Sequence, residues 1–281
     1  GYNGLLNNDF TEMTMRSVSN IIQDGGTVLY TARSPEFNSA EGVKQAADNC
    51  RKKGIYGVVV IGGDGSFRGA RDLSDEGILC VGIPGTIDND IACTEYTIGY
   101  DTALNTAMDM IDRIRDTSES HDRCSVVEVM GRNCGDIALN TGISTGAISI
   151  LVPEVDYDLK KDVIDRIRTA KKTGKRHFIV VVAEGIKRTA EIAEYIEKET
   201  GIETRATILG YVQRGGSPTM RDRLVASRMG YHAVQLLSEN IGDRVVALKG
   251  EHIVDYGITE GLDMKRIFDK KLYEIAYKLS R

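Results

Sequence analysis

Two acids, Asp88 and Asp90, stand two positions apart in the stretch Pro-Gly-Thr-Ile-Asp-Asn-Asp, directly after the apolar run 78–83. Carboxylates at the C-terminal end of a buried strand lie where open α/β sheets hold their ligands. Either acid could accept a proton from an attacking hydroxyl, the part a carboxylate plays when a phosphoryl group moves to an alcohol. Two acids alone would repel a phosphate, so that chemistry asks for cations nearby. Five arginines answer it. Arg123 and Arg132 bracket one strand-like run, Arg205 and Arg214 bracket another, and Arg33 stands in Thr-Ala-Arg-Ser-Pro-Glu-Phe. A guanidinium grips phosphate oxygens as a fork and stays charged at any relevant pH. A solvated surface explains any one of these arginines more easily than all five.

A second constellation is Gly62-Gly63-Asp64-Gly65-Ser66, which follows the apolar run 57–61. Glycines let backbone N–H groups approach a phosphate, and the N-terminus of a following helix favours negative charge. An aspartate in such a loop makes sense if Mg2+ lies between it and the phosphate, since that ion takes one or two carboxylates plus phosphate oxygens. The plain alternative is a tight turn with Asp64 capping the helix. No Gly-Lys-Ser/Thr follows, so the loop is not of the Walker type. The histidines His121, His177, His232 and His252 show no paired metal spacing, and no serine sits in a GxSxG elbow.

The elements that must position these groups are legible as an alternation. Runs 57–61, 78–83, 124–129, 147–152 and 178–183 are short, apolar and β-branched, as strands buried on both faces require. Between them lie helical patterns. Asn38 is placed to cap one, with Glu41 at its third position, Val43, Ala46, Ala47 and Cys50 as its stripe, and Gly54 as its stop. Others are expected over 101–116, 158–172 and 189–200. Alternating strands and helices predict an α/β fold with a largely parallel sheet covered by helices. The 281 residues exceed one typical domain, which predicts two lobes.

Composition narrows the partners. A formal net charge of -5 argues against a surface built to attract nucleic acid or anionic lipid, so neither is expected as a partner. Any anionic ligand must be held by a local cluster of bases. The five cysteines, Cys50, Cys80, Cys93, Cys124 and Cys134, form no CxxC pair and read as reduced thiols in a core. No run approaches the roughly 18 apolar residues of a membrane span, and a cytoplasmic location is expected.

With these residues in view, the blocks IGGDGSFRGA, GIPGTIDND, YTIGYDTALNTAMDMIDRIRDTSESH, SVVEVMGRNCGD and ETRATILGYVQRGGSP resemble, in order and spacing, the bacterial ATP-dependent 6-phosphofructokinase family. The resemblance thins after about Gly242. It implies two Rossmann-like lobes with the active site in the cleft between them. It divides the chain into a nucleotide-binding lobe, 1–99 plus 212–262, and a sugar-phosphate-binding lobe, 100–211 plus 263–281. It further implies transfer of the ATP γ-phosphoryl group to the 1-hydroxyl of fructose 6-phosphate in glycolysis, with Mg2+.

By the same resemblance Asp88 is the base, Thr86 and Asp90 support the reacting hydroxyl and the metal, and Asp64 helps hold Mg2+. Arg132 and Arg33 stabilise the transferring phosphoryl group. Met130, Gly131, Glu184, Tyr211 and Arg214 line the sugar phosphate site. Arg123 and Arg205 reach the substrate of a neighbouring subunit, which implies a homo-oligomer, expected as a tetramer. Tyr2, Arg33, Phe37, Gly63, Asp64, Gly65, Ser66 and Gly69 form the nucleotide site. Pyrophosphate-dependent relatives often carry aspartate at the place of Gly65 and lysine at that of Gly85, so small residues there favour ATP.

Departures from the family pattern qualify this reading. Tyr211 stands where a histidine is usual. Arg115 and Lys175 match the allosteric effector site, whereas Ile148 and Met15 replace its usual glutamate and arginine. The family's opening strand and GGDxPGxN turn would precede Gly1, so the chain is expected to be a fragment of a longer parent. Three other readings stand beside the main one. Kinases of NAD or diacylglycerol share the glycine-aspartate loop but lack the PGTIDND, MGRNCGD and QRGG blocks. A pyrophosphate-dependent phosphofructokinase differs in its donor. A non-catalytic ligand-binding subunit would have less reason to keep Asp64, Asp88 and Arg132.

Overall fold

Apolar, β-branched runs pair first with whatever lies beside them in the sheet, and here they assemble into two separate sheets. The computed structural model describes residues 1–280, and they fall into two units. The first comprises Gly1–Thr86, Ile91–Gly99 and Gly215–Arg266. Its sheet runs in the order β1 (Gly57–Gly62), β2 (Leu79–Pro84), β7 (Arg244–Lys249), β8 (His252–Gly257). The first three strands are parallel and β8 returns antiparallel to β7. Helices α1 (Tyr2–Leu6), α2 (Ala40–Lys52), α3 (Asp64–Asp75), α8 (Met220–Ser238) and α9 (Ile258–Asp263) belong to this unit. Phe67, Leu73, Ala46, Ala47, Cys50, Cys80, Val245 and Ile258 are buried together in its core.

The second unit comprises Ile87–Asp90, Tyr100–Arg214 and residues 267–280. Its four strands are all parallel, in the order β4 (Ser149–Leu151), β5 (Phe178–Ala183), β3 (Cys124–Val129), β6 (Thr204–Ile208). Every residue of β5 is buried, as a central strand covered on both faces requires. Helices α4 (Tyr100–Ser120), α5 (Asp136–Ser144), α6 (Asp165–Lys172), α7 (Thr189–Thr200) and α10 (Lys270–Leu279) complete the unit. Ile164, Ile167, Ile192 and Ile196 pack in a core with Phe178, Val180 and Val182. The chain leaves the first unit after Thr86, within the acid stretch. Residues 212–214 also group with the second unit, where Gln213 Oε1 accepts from the Met130 amide at 3.1 Å.

Several boundaries differ from the sequence expectation, each for a local reason. Ser39 rather than Asn38 caps α2, because its extended backbone aims Oγ at the Gly42 amide, 3.0 Å away. Helix α4 continues to Ser120, with Ser118 buried and its hydroxyl shared between the Ile114 carbonyl and Ser125. The segment 158–172 is helical as expected, with a π-helical stretch inside it. Asp158 Oδ1 takes the Lys160 and Lys161 amides, and a π-helical turn over Lys160–Ile164 precedes α6. Between Asn8 and Asn38 the chain forms turns and irregular backbone, mostly exposed. All five cysteines are free and buried, and burial raises the Cys80 and Cys124 thiols to about 12. Among the described residues no helix is long and apolar enough to cross a membrane.

Candidate active site

In the first unit β1 ends at Gly62 and α3 begins at Asp64. A Cβ on Gly62 would lie 2.3 Å from Ser66 Oγ, so only glycine lets the turn close this tightly. The Gly63 carbonyl accepts from the Ser66 and Phe67 amides at 2.9 and 3.1 Å. The end of β2 lies beside this loop: the Gly85 amide donates to the Gly62 carbonyl at 3.0 Å, and a Cβ on Gly63 would stand 3.8 Å from Thr86 Cβ. The Tyr2 hydroxyl donates to the Ser66 carbonyl, and the Tyr2 ring packs so closely on Gly69 that a Cβ there would lie 2.7 Å from it. Burial raises the Tyr2 phenol well above its ordinary value, which keeps it a donor.

Of the residues expected at a nucleotide site, Tyr2, Ser66 and Gly69 are in contact at this loop. Phe37 is 2 % exposed and lies under Tyr2, the rings stacked at 4.0 Å and 11°, so it supports Tyr2 rather than facing a ligand. Arg33 is exposed, in irregular chain. Asp64 sits at the head of α3 and accepts from Arg68 Nε and Nη2 at 2.8 and 3.2 Å. Gly65 faces open space, so a side chain there would project into solvent-accessible room. At Gly85 a Cβ would meet Ile61 Cγ2 at 2.9 Å, which gives that glycine a packing reason as well.

In the second unit the acids meet an arginine. Asp88 is only 2 % exposed and receives Arg132 Nε on Oδ2 at 2.9 Å, while Arg132 Nη1 lies 3.7 Å from Asp90 Oδ2. Burial and the Asp90 charge push the Asp88 carboxyl up, and Arg132 only partly offsets them. The loop between β3 and α5 supplies this arginine. Gly131 and Arg132 both take positive φ, 133° and 54°, and their consecutive amides close on Glu184 Oε1 at 3.1 and 2.5 Å. Glu184 follows β5 directly, so Met130, Gly131, Arg132 and Glu184 all come from the C-terminal ends of neighbouring parallel strands. After β6, Arg214 stands 5.3 Å from the centre of the Tyr211 ring, and Tyr211 is 80 % exposed. A groove beside Arg132 and Glu184 is lined further by Glu128, Asn133, Lys187 and Ile208.

Arg123 and Arg205 lie elsewhere. Both bind Glu203, at 2.8 and 2.5 Å, at the N-terminal ends of β3 and β6. The six residues of β3 separate that end from Met130, about 20 Å at the rise of a strand. Arg115 donates to the Thr145 carbonyl, and burial together with Arg115 lowers the Lys175 ammonium. Ile148 is buried and Met15 exposed. Sequence reasoning missed Gln213, Asn89 and Asp136. An asparagine between two aspartates was the available signal, since asparagine tolerates the left-handed conformation found at Asn89, φ 50°.

Parallel strands with a glycine-aspartate loop at one strand end and an acid–arginine cluster at another define an α/β protein with its ligand-handling groups at strand C-termini. Comparison with known proteins makes this specific. The chain belongs to the phosphofructokinase family, whose sequence model matches residues 1–237. A curated ATP-dependent 6-phosphofructokinase of Clostridium tetani is 58% identical over 280 residues, covering 100% of this chain and 88% of that protein. The structure of phosphofructokinase from Saccharomyces cerevisiae superposes with a TM-score of 0.86 at 33% identity, over 99% of this chain and 41% of that one. A pyrophosphate-dependent phosphofructokinase from Marinobacter aquaeolei reaches a TM-score of 0.83 at 20% identity, over 96% of this chain and 76% of that one, and shares the fold.

Proposed function

We infer that the chain transfers the γ-phosphoryl group of ATP to the 1-hydroxyl of fructose 6-phosphate, giving fructose 1,6-bisphosphate, a glycolytic step of the cytoplasm. The observation that carries this is Asp88, a buried carboxyl with a raised proton affinity at the end of β2, held by an exposed guanidinium. Raised proton affinity is what a general base for a sugar hydroxyl needs. The C. tetani relative, named for this activity, supports the choice of reaction.

On this reading Asp88 takes the hydroxyl proton and Asp90 holds that hydroxyl's orientation with Thr86. Arg132, with its side chain 63 % exposed, is able to swing from the acids onto the transferring phosphoryl oxygens. Met130, Gly131, Glu184, Tyr211 and Arg214 hold the sugar phosphate. Tyr2, Gly63, Gly65 and Ser66 receive the nucleotide, with Gly69 letting the Tyr2 ring pack close. The donor set fits Mg2+: Asp64 offers hard oxygens at the phosphate loop, and its exposed pair with Arg68 is worth only about 0–1 kcal/mol to displace. Bound with the donor, that ion neutralises charge on the phosphate oxygens. Arg123 and Arg205, joined by Glu203 at the end of β3 opposite Met130, serve a neighbouring copy, and Arg115 with Lys175 forms part of an effector site.

Donor choice tests the reading. With fructose 6-phosphate and Mg2+, bisphosphate formation is expected with ATP and not with pyrophosphate. Turnover with pyrophosphate alone would overturn the argument from Gly65 and Gly85.

A further inference from the structure

The acid stretch is fastened to the arginine loop at more places than the reaction itself explains. Asn89, between Asp88 and Asp90, is buried and left-handed at φ 50°, a conformation that turns the chain and leaves both neighbouring carboxylates on the one Arg132 guanidinium. Asparagine tolerates that backbone state better than other non-glycine residues, and here its side chain and carbonyl are also held. Asn89 Nδ2 donates to Asp136 Oδ2 at 2.8 Å, and the Cys134 thiol donates to the Asn89 carbonyl at 3.8 Å. Arg132 and Cys134 in the loop and Asp136 at the head of α5 alternate in sequence, so three alternate positions grip the three residues 88–90.

We propose that Asp136, through Asn89, is a positioning residue that sets the orientation of the Asp88–Asp90 pair. This rests on the phosphotransferase reading above. The alternative is structural: Asp136 is the first residue of α5, where a negative charge favours the helix N-terminus. The two differ in what a neutral acceptor can do. The substitution Asp136→Asn keeps an oxygen for the Asn89 amide but removes the charge, whereas Asp136→Ala removes both.

Steady-state kinetics and thermal unfolding of Asp136→Ala, Asp136→Asn, Asn89→Ala and the double variant Asn89→Ala/Asp136→Ala decide between them. The expectation is a fall in kcat on the order of 10–100-fold for either alanine variant, as small misplacements of reacting groups produce. The nucleotide KM should stay unchanged, the double variant should be no worse than the singles, and Asp136→Asn should restore most of kcat. Additive losses, or alanine variants that keep the parent kcat, overturn the proposal. So does an Asp136→Asn variant as impaired as Asp136→Ala. If the parent itself turns over no fructose 6-phosphate, the functional reading fails separately. Amide hydrogen exchange at residues 88–90 then decides this inference: exchange sped by Asp136→Ala and restored by Asp136→Asn supports it, and exchange left unchanged by Asp136→Ala overturns it.

Discussion

At the scale of single residues, the account turns on a carboxylate kept out of water beside a second one. Burial and Asp90 raise the Asp88 carboxyl from 3.8, against the pull of Arg132. The acid limb of kcat is therefore expected above that ordinary value, and Arg132→Met should move it higher still; a pH–rate series measures both. Stability has the opposite sign from that of a well-paired acid. The folded chain holds the Asp88 proton over a pH range in which the unfolded chain has released it, so stability falls as pH rises from 3.8 through the folded value. Asp88→Ser should thus melt no lower than the parent at neutral pH, with any advantage vanishing below the ordinary carboxylate range. Asp88 and Arg132 were legible because a strand followed by acids, and a strand followed by arginine, are local patterns. Asp136 was not, since its role depends on a left-handed turn at Asn89 and on two loops distant in the chain. Phe37 was legible as a neighbour of Tyr2 but not as the buried partner beneath it.

At the scale of elements, the site depends on how tightly β1 turns into α3 and how the second sheet's periphery is tied down. Gly62→Ala would drive a Cβ into Ser66 Oγ, costing about 1–3 kcal/mol of overpacking, and should raise the KM for ATP more than that for fructose 6-phosphate. Arg166 on α6 donates to the Ile148 and Ser280 carbonyls and lies 4.1 Å from the centre of the Tyr277 ring. Arg166→Met is expected to speed hydrogen exchange in α10 while leaving β5 protected. The apolar runs of β1, β2, β3 and β5 could be read directly, although β1 proves to be a mostly half-buried edge strand. The π-helical stretch before α6 could not, because the apolar stripe of Val163, Ile164 and Ile167 does not distinguish it from an α-helical turn. Strand β6 was expected between Arg205 and Arg214 but starts at Thr204 and includes Arg205, because at the sheet's edge most of its residues are exposed or half-buried and its bounds carry no apolar signal.

At the scale of the whole molecule, the question is whether one chain holds a complete set of cations. Arg123 and Arg205 share Glu203 at the opposite end of β3 from Met130 and Arg132. If they serve a second copy, two inactive variants should rescue each other. Mixing Asp88→Ser with Arg205→Ala after dissociation and reassembly is expected to recover part of the activity, because some sites then draw both intact groups from different chains. No recovery in assembled mixtures would place Arg205 outside the catalytic machinery. The central claim, that Asp88 is the base for phosphoryl transfer to the sugar, is tested most directly by kcat for fructose 1,6-bisphosphate formation in Asp88→Ser beside Asp90→Ser. Loss of a positioned base predicts a fall on the order of 10²–10⁴-fold in Asp88→Ser, with the KM for fructose 6-phosphate little changed and a smaller loss in Asp90→Ser. An Asp88→Ser enzyme that keeps its kcat while Asp90→Ser loses it would contradict the account.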